Sequence, residues 1–236
     1  MRTPLVIAHR GNSSFTLENS LAAIRSALSL HVDMIEIDIR KSKDNGLYVM
    51  HDKTTGRTAE ENIDIEQSTS EKINRVRLKN GEPIPSLSDV LELVDGSCGL
   101  NLEIKSIGAG ALTAQHLLSS KYRGPVLVSS FKEDEVLAAH GVLPGLPISL
   151  IFDVFTVRAV SKYKARGYSV ISLSKKTVSK KLVDACHDQG IPVYVWTVDD
   201  EEEMKMYIER GVDGIFSNKP GVLQEAIHKL QTANFK

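Results

Sequence analysis

His9 and Arg10 follow a short apolar run near the start of the chain, and His51 and Asp52 close another. In Ile35-Glu36-Ile37-Asp38-Ile39, the two acids are two residues apart, so in an extended strand both carboxylates project from one face and the isoleucines from the other. Leu100-Asn101-Leu102-Glu103-Ile104-Lys105 repeats the pattern, with Glu103 and Lys105 sharing a face. Carboxylates brought together repel, so one takes up a proton or a cation binds between them. A metal is the expected solution. Oxygen ligands from Glu36, Asp38 and Glu103 suit one hard divalent cation, Mg2+ or Ca2+, with other positions left to water and substrate; zinc would call for nitrogen or sulfur. With both histidines neutral, the three acids, Arg10, Lys105 and such an ion leave a small net positive charge, which suits an oxygen-rich monoanion such as a phosphodiester. Phosphoryl transfer needs its equatorial oxygens neutralised, a proton taken from the attacking group and a proton given to the departing alkoxide. Imidazole titrates near neutrality, so His9 and His51 could each act in either direction, for about 10^2 to 10^4 in rate.

Taken singly, each residue has an ordinary explanation. A strand-end histidine is most often a solvated surface group, Glu36 with Asp38 fits the exposed face of an edge strand, and Glu103 with Lys105 fits a structural ion pair. What points to chemistry is that they occupy neighbouring strand ends.

The elements that must place them are legible as alternation. Strand candidates are Leu5 to Ala8, Met34 to Ile39, Leu47 to Met50, Leu100 to Ile104, Val126 to Ser129, Ile148 to Phe152, Ser169 to Leu173, Val193 to Trp196 and Gly214 to Phe216. Helical spacing lies between most of them, as in Leu21, Ile24, Ala27 and Leu28, or Met204, Tyr207 and Ile208. Ser86 with Asp89 approximates a capping box, Gly167, Gly190 and Gly211 follow helical runs, and Pro220 suits a first helical position. Leu47 to Met50 follows Ile39 across Lys43-Asp44-Asn45-Gly46, too short for a helical crossover but right for a hairpin. Eight parallel units remain, which predicts a (β/α)8 TIM barrel in preference to an open doubly wound sheet. The polar stretch Lys53 to Pro85 reads as a short insertion of loop chemistry with one short helix, forming a wall of the site.

The 236 residues suffice for a single domain spanning 1–236, and 42% hydrophobic with 25% charged residues excludes a mainly disordered chain. A net charge of -1 gives no global attraction to nucleic acid or acidic membrane. Cys98 and Cys186 make a disulfide framework unexpected and point to a reducing compartment. The first apolar run is too short for a signal-peptide core, no stretch approaches an integral membrane segment, and no lipidation signal stands at either end, so a cytoplasmic location is expected. Oligomeric state is not legible.

The sequence resembles the glycerophosphodiester phosphodiesterase family in His9-Arg10-Gly11, Glu18-Asn19-Ser20, Glu36-Ile37-Asp38, Lys43-Asp44-Asn45-Gly46, His51-Asp52 with Arg57-Thr58, and Glu103-Ile104-Lys105. Weaker matches run through Ile84-Pro85-Ser86-Leu87, Ser130-Phe131, Val195-Trp196-Thr197 and Gly211-Val212-Asp213-Gly214, so the likeness covers nearly the whole chain. The resemblance implies a barrel with an insertion after the His-Asp pair and a small-molecule glycerophosphodiester substrate. It further implies that His9 and His51 are acid and base, that Glu36, Asp38 and Glu103 hold the divalent ion, that Arg10 and Lys105 contact phosphate, and that Phe131 and Trp196 line the pocket. An aromatic at a strand end is otherwise as readily a core residue.

Departures from the family pattern are Leu17 and Ser20 at a helix start, Ala59 in the insertion, and Asn218 where an Asp is usual after the last strand. Asn218 is read as a helix cap. The expected reaction is cleavage of glycerophosphocholine or glycerophosphoethanolamine to glycerol 3-phosphate and an alcohol. A glycosidase would leave His9, His51 and Lys105 without roles. A silent phosphate-binding barrel would leave both histidines unexplained, and a lysophospholipase D activity would need a lipid-accepting mouth.

Overall fold

The computed structural model describes residues 3–233. Within them, strands β1 (Leu5–His9), β2 (Met34–Lys41), β3 (Leu47–Val49), β4 (Gly99–Ile104), β5 (Val126–Ser130), β6 (Ile148–Phe152), β7 (Val170–Ser174), β8 (Val193–Trp196) and β9 (Gly214–Ser217) match the nine apolar runs to within a residue or two. β1 pairs in parallel with both β2 and β9, and the remaining parallel pairs run unbroken from β2 through β4 to β9, so eight strands close into a TIM barrel. β3 stands outside the ring, antiparallel to β2. Its turn uses Asn45 at φ 66, a conformation asparagine tolerates, and the Ser42 amide donates to the Gly46 carbonyl at 2.8 Å.

Helices α1 (Leu21–Ser29), α2 (Ser70–Arg75), α3 (Leu87–Val94), α4 (Ala109–Ser119), α5 (Glu133–Val142), α6 (Val160–Ala165), α7 (Lys180–His187), α8 (Glu201–Arg210) and α9 (Pro220–Ala233) complete the described chain. Local chemistry sets their ends: Ser20 caps α1, Ser86 and Asp89 form the reciprocal capping box of α3, and Gly211 at φ 80 ends α8. None of the described helices is long and apolar enough to cross a membrane.

Strand alternation divides the barrel in two. Ile35, Ile37 and Ile39 point outward into the main core beneath the helices. Inside the ring, Ile7, Met34, Leu127, Val170, Tyr194 and Phe216 form an apolar lower tier. The next inward positions along the strands are polar: His9 lies in register with Glu36, Glu36 with Asn101, and Asp38 with Glu103. The barrel is thus plugged by hydrocarbon at one end and carries its ionisable groups at the carboxyl ends of its strands.

The insertion is more than the loop that its polar sequence suggests. Besides α2 it packs its own apolar cluster, in which Met50, Ile65, Ile73, Val76, Leu78 and Ile84 are each at most 2 % exposed. Isolated bridges between Thr54 and Asp64, Ala59 and Leu78, and Arg77 and Pro83 stitch it together. These apolar residues follow neither helical nor strand periodicity, so the cluster has no sequence signature.

Candidate active site

As β1 ends, the chain turns sharply through Arg10 at φ 58 and Gly11 at φ 81. A Cβ on Gly11 would stand 2.6 Å from the Ala23 carbonyl carbon, so only glycine lets α1 approach this closely. The turn brings the Arg10 amide to 2.9 Å from Glu36 Oε2, to which it donates. It also carries the guanidinium between two acids: Nε lies 3.1 Å from Asp38 Oδ2, and Nη1 donates to Glu18 Oε1 at 2.9 Å. From β4, Lys105 Nζ donates to Glu103 Oε1 at 2.6 Å and lies 3.5 Å from Asp38 Oδ1. Asn19 donates to Asp38 Oδ2 at 2.8 Å, which gives the Glu18-Asn19-Ser20 segment a structural reason to lie beside β2.

Glu36 and Asp38 are 1 % and 0 % exposed, and ligand oxygens of Glu36, Asp38 and Glu103 lie within 4.8 Å of one another. Burial, reinforced by Asp38 and Glu103, pushes Glu36 well above the usual carboxylate range. Burial and Asp38 likewise push Glu103 up to about 7 against the pull of Lys105. For Asp38 the burial cost is outweighed by Arg10 and Lys105, and its carboxyl is held below the ordinary value. The protein therefore buries three acids on one spot and lets its own groups ionise them only in part. Buried Glu36 Oε1 and Asp38 Oδ1 accept no hydrogen bond from the protein, and neither does Asn101 Oδ1 beside them. Hard oxygen donors that accept no hydrogen bond at this spacing fit a divalent cation.

The two imidazoles are each held at Nδ1. His51 Nδ1 lies 2.7 Å from Asp52 Oδ1, and Asp52 in turn accepts from Arg57 Nε at 2.6 Å. That Arg57 bond, with burial opposing and His51 assisting, takes Asp52 down to about 2. Arg57 comes from the insertion and also grips Glu18 at 2.8 and 2.7 Å, so one guanidinium braces both the His51 support and the Arg10 support. His9 Nδ1 lies 2.8 Å from Asn218 Oδ1, with Nε2 3.8 Å from Glu36 Oε2. Burial and the nearby Arg10 charge lower His9 to about 4. Asn218 is not the helix cap it resembles, because its side chain is spent on His9, Ser13 and Asp199.

His9, Arg10, Glu36, His51, Glu103, Lys105, Phe131 and Trp196 line one cavity of about 190 Å³, with Asp38 behind them bound to both cations. Phe131 meets Trp196 edge to face at 5.7 Å, and Lys105 Nζ is 5.9 Å from the Phe131 ring centre. Phe131 is 47 % exposed, which excludes it from the core. Sequence reasoning passed over Asn101 and Asp199 and gave Asn218 the wrong task. Asn101 shares the Glu103 and Lys105 face and could have been found by the same period of two. For Asp199 no pattern exists, since its partner lies on another strand end.

Residues 9–222 match the model of the glycerophosphoryl diester phosphodiesterase family. A glycerophosphodiester phosphodiesterase of Caldanaerobacter subterraneus is 31% identical, over 95% of this chain and 98% of its own length. A lysophospholipase D of Rattus norvegicus is 24% identical, over 95% of this chain and 86% of its own. Among solved structures, an Oleispira antarctica phosphodiesterase in complex with the product sn-glycerol-3-phosphate superposes with a TM-score of 0.89 at 24% identity, covering 96% of this chain and 97% of that one. Barrel, cavity and nearly full-length similarity agree, and the chain belongs to the glycerophosphoryl diester phosphodiesterase family of enzymes.

Proposed function

We propose that the protein hydrolyses glycerophosphodiesters such as glycerophosphocholine or glycerophosphoethanolamine to sn-glycerol 3-phosphate and an alcohol. The reading is carried by one observation: both imidazoles and the acidic cluster open onto the same small cavity. Glu36, Asp38 and Glu103 would hold one divalent cation, Mg2+ or Ca2+, which when bound supplies positive charge to the phosphoryl oxygens. Arg10 and Lys105 reach the same space and add their charge to the phosphate. His9 and His51 serve as the acid-base pair, one removing the proton of the attacking group and the other protonating the alcohol oxygen; the attacking group is water, or first the neighbouring glycerol hydroxyl, whose cyclic phosphate water then opens to glycerol 3-phosphate. Phe131 and Trp196 present an apolar wall to the head group.

Barrel and insertion act as one domain, because Arg57 of the insertion supports residues on both sides of the cavity. A cytoplasmic setting fits two buried cysteines that are not paired. A coupled assay for glycerol 3-phosphate over a panel of diesters tests the reading. Turnover should vanish in excess EDTA and return with Mg2+ or Ca2+; full turnover in chelator contradicts the metal role.

One feature favours a second substrate. A groove of about 330 Å³ lies next to the cavity, shares Phe131 and Ile151 with it, and continues past Leu150, Phe152, Phe155 and Tyr163, with Glu133, Lys162 and Arg166 also lining it. Val154, in the loop after β6, and Val157, in the 3-10 turn Val157–Ala159 before α6, are exposed nearby along the chain. A single acyl chain on the glycerol would find apolar surface there, giving a lysophospholipase D-type activity. Release of lysophosphatidic acid from lysophosphatidylcholine, set against glycerol 3-phosphate from glycerophosphocholine, separates the two.

A further inference from the structure

The loop after β8 carries two adjacent acids with different duties. Asp200 caps α8, accepting from the Glu202 and Glu203 amides at 3.0 Å each. Asp199 turns instead toward the end of β9: its Oδ1 accepts from Ser217 Oγ at 3.0 Å and from the Asn218 amide at 2.7 Å, and its Oδ2 accepts from Asn218 Nδ2 at 2.6 Å. An ionised carboxylate only accepts, so the NH2 of the Asn218 side chain must face it. The other end of that amide, Oδ1, is then obliged to face His9, 2.8 Å from Nδ1, where it also accepts from Ser13 Oγ at 2.8 Å. The reversed amide would set a carbonyl oxygen against the Asp199 carboxylate, whereas its NH2 could still meet Ser13 Oγ, which then donates to the His9 carbonyl at 2.8 Å, and the imidazole; the carboxylate alone therefore sets the sense of the amide. A ring nitrogen facing a carbonyl oxygen carries the proton, which leaves the Nε2 lone pair of neutral His9 directed away from Asn218.

We propose that Asp199, acting through Asn218, is a positioning residue that fixes the tautomer and ring orientation of His9. A neutral amide beside the histidine has no preferred sense of its own, and the carboxylate one residue further back supplies it. This deepens the proposed function, on which the importance of His9 rests.

The test joins kinetics with 15N NMR of the imidazole, assigned by difference against His9→Gln. In the wild-type protein His9 should show a protonated Nδ1 and an unprotonated Nε2. Asp199→Asn keeps its oxygen on the Ser217 hydroxyl and the Asn218 amide, so its NH2 faces the Asn218 side chain and turns that amide over; the imidazole proton should shift toward Nε2 and kcat should fall by about tenfold or more with KM unchanged. The helix cap at Asp200 is untouched by this change. Adding Asn218→Asp on the Asp199→Asn background puts a carboxylate at 218 with an amide behind it, and should restore both the Nδ1-protonated ring and most of kcat. Wild-type kcat and an unchanged tautomer in Asp199→Asn overturn the proposal, as does a double variant no better than the single one. The NMR readout needs no turnover. A shifted tautomer in a protein that cleaves no diester would therefore sink the proposed function and leave the positioning role standing.

Discussion

Binding a divalent ion should expel protons, because the acids that receive it are not all ionised beforehand. Glu103 is pushed to about 7 by burial and by Asp38, so at pH 7 it holds about half a proton that a metal ligand cannot keep. Glu36 is also raised, by burial and by both neighbouring acids, so any proton it holds adds to the release, while Asp38 is held low by Arg10 and Lys105. Release should therefore be at least about half a proton per ion at pH 7. Each proton released costs up to about tenfold in apparent affinity per pH unit below the group's pKa, so binding should weaken steeply from pH 8 to pH 6. The assay is calorimetric titration of Mg2+ or Ca2+ in two buffers of different ionisation enthalpy, where the difference in observed heat counts the protons. Glu103→Gln should remove the Glu103 share and weaken binding. The sign for stability follows from the same shift: Glu103 is raised in the folded state, so its contribution to the metal-free protein is present in full below about pH 4.5 and is lost as pH rises through about 7. His9, lowered to about 4, has the opposite sign over nearly the same window, so the Glu103 share is read as a difference: between pH 4.5 and 7 the metal-free melting temperature of the wild type should fall relative to that of Glu103→Gln. Equal heats in both buffers, with an ion demonstrably bound, would refute the electrostatic reasoning.

Three further outcomes are expected. His9→Ala and His51→Ala should each lower kcat by about 10^2 or more with little change in melting temperature, measured by steady-state kinetics and calorimetry; an effect on KM alone contradicts their assignment to proton transfer. Arg57→Leu removes the single guanidinium bonded to both Asp52 and Glu18. It should depress kcat far more than stability, since Arg57 is 49 % exposed and its ion pairs are solvent-screened; a purely thermal defect contradicts the bracing role. Trp196→Leu keeps apolar bulk but removes the edge-to-face partner of Phe131, and should change KM and head-group preference; a change confined to stability returns Trp196 to the core.

The legible features were those with a period. Glu36 with Asp38 and Glu103 with Lys105 could be placed inside the barrel because residues two apart share a strand face, and the register of β2 against β4 confirms the neighbourhood. The hairpin was legible from Asn45-Gly46, and the start of α3 from Ser86 and Asp89. The insertion hid its apolar cluster because Ile63, Ile65 and Leu78 come from irregular loops and only the short α2 contributes Ile73, with Val76 at its end. The Arg57 brace and the Asn218 to Asp199 link were hidden for a related reason: each joins groups far apart in the chain, and only closure of the barrel, with the insertion folded over its mouth, brings them within hydrogen-bonding distance.

Three acids that gather one cation beside a phosphate flanked by two imidazoles are the central expectation. Anomalous diffraction from crystals soaked in Mn2+ and sn-glycerol 3-phosphate addresses it most directly. One peak touching oxygens of Glu36, Asp38 and Glu103, with the phosphate between His9 and His51, is the predicted result. A peak remote from those acids, or a phosphate bound outside the cavity, would contradict it.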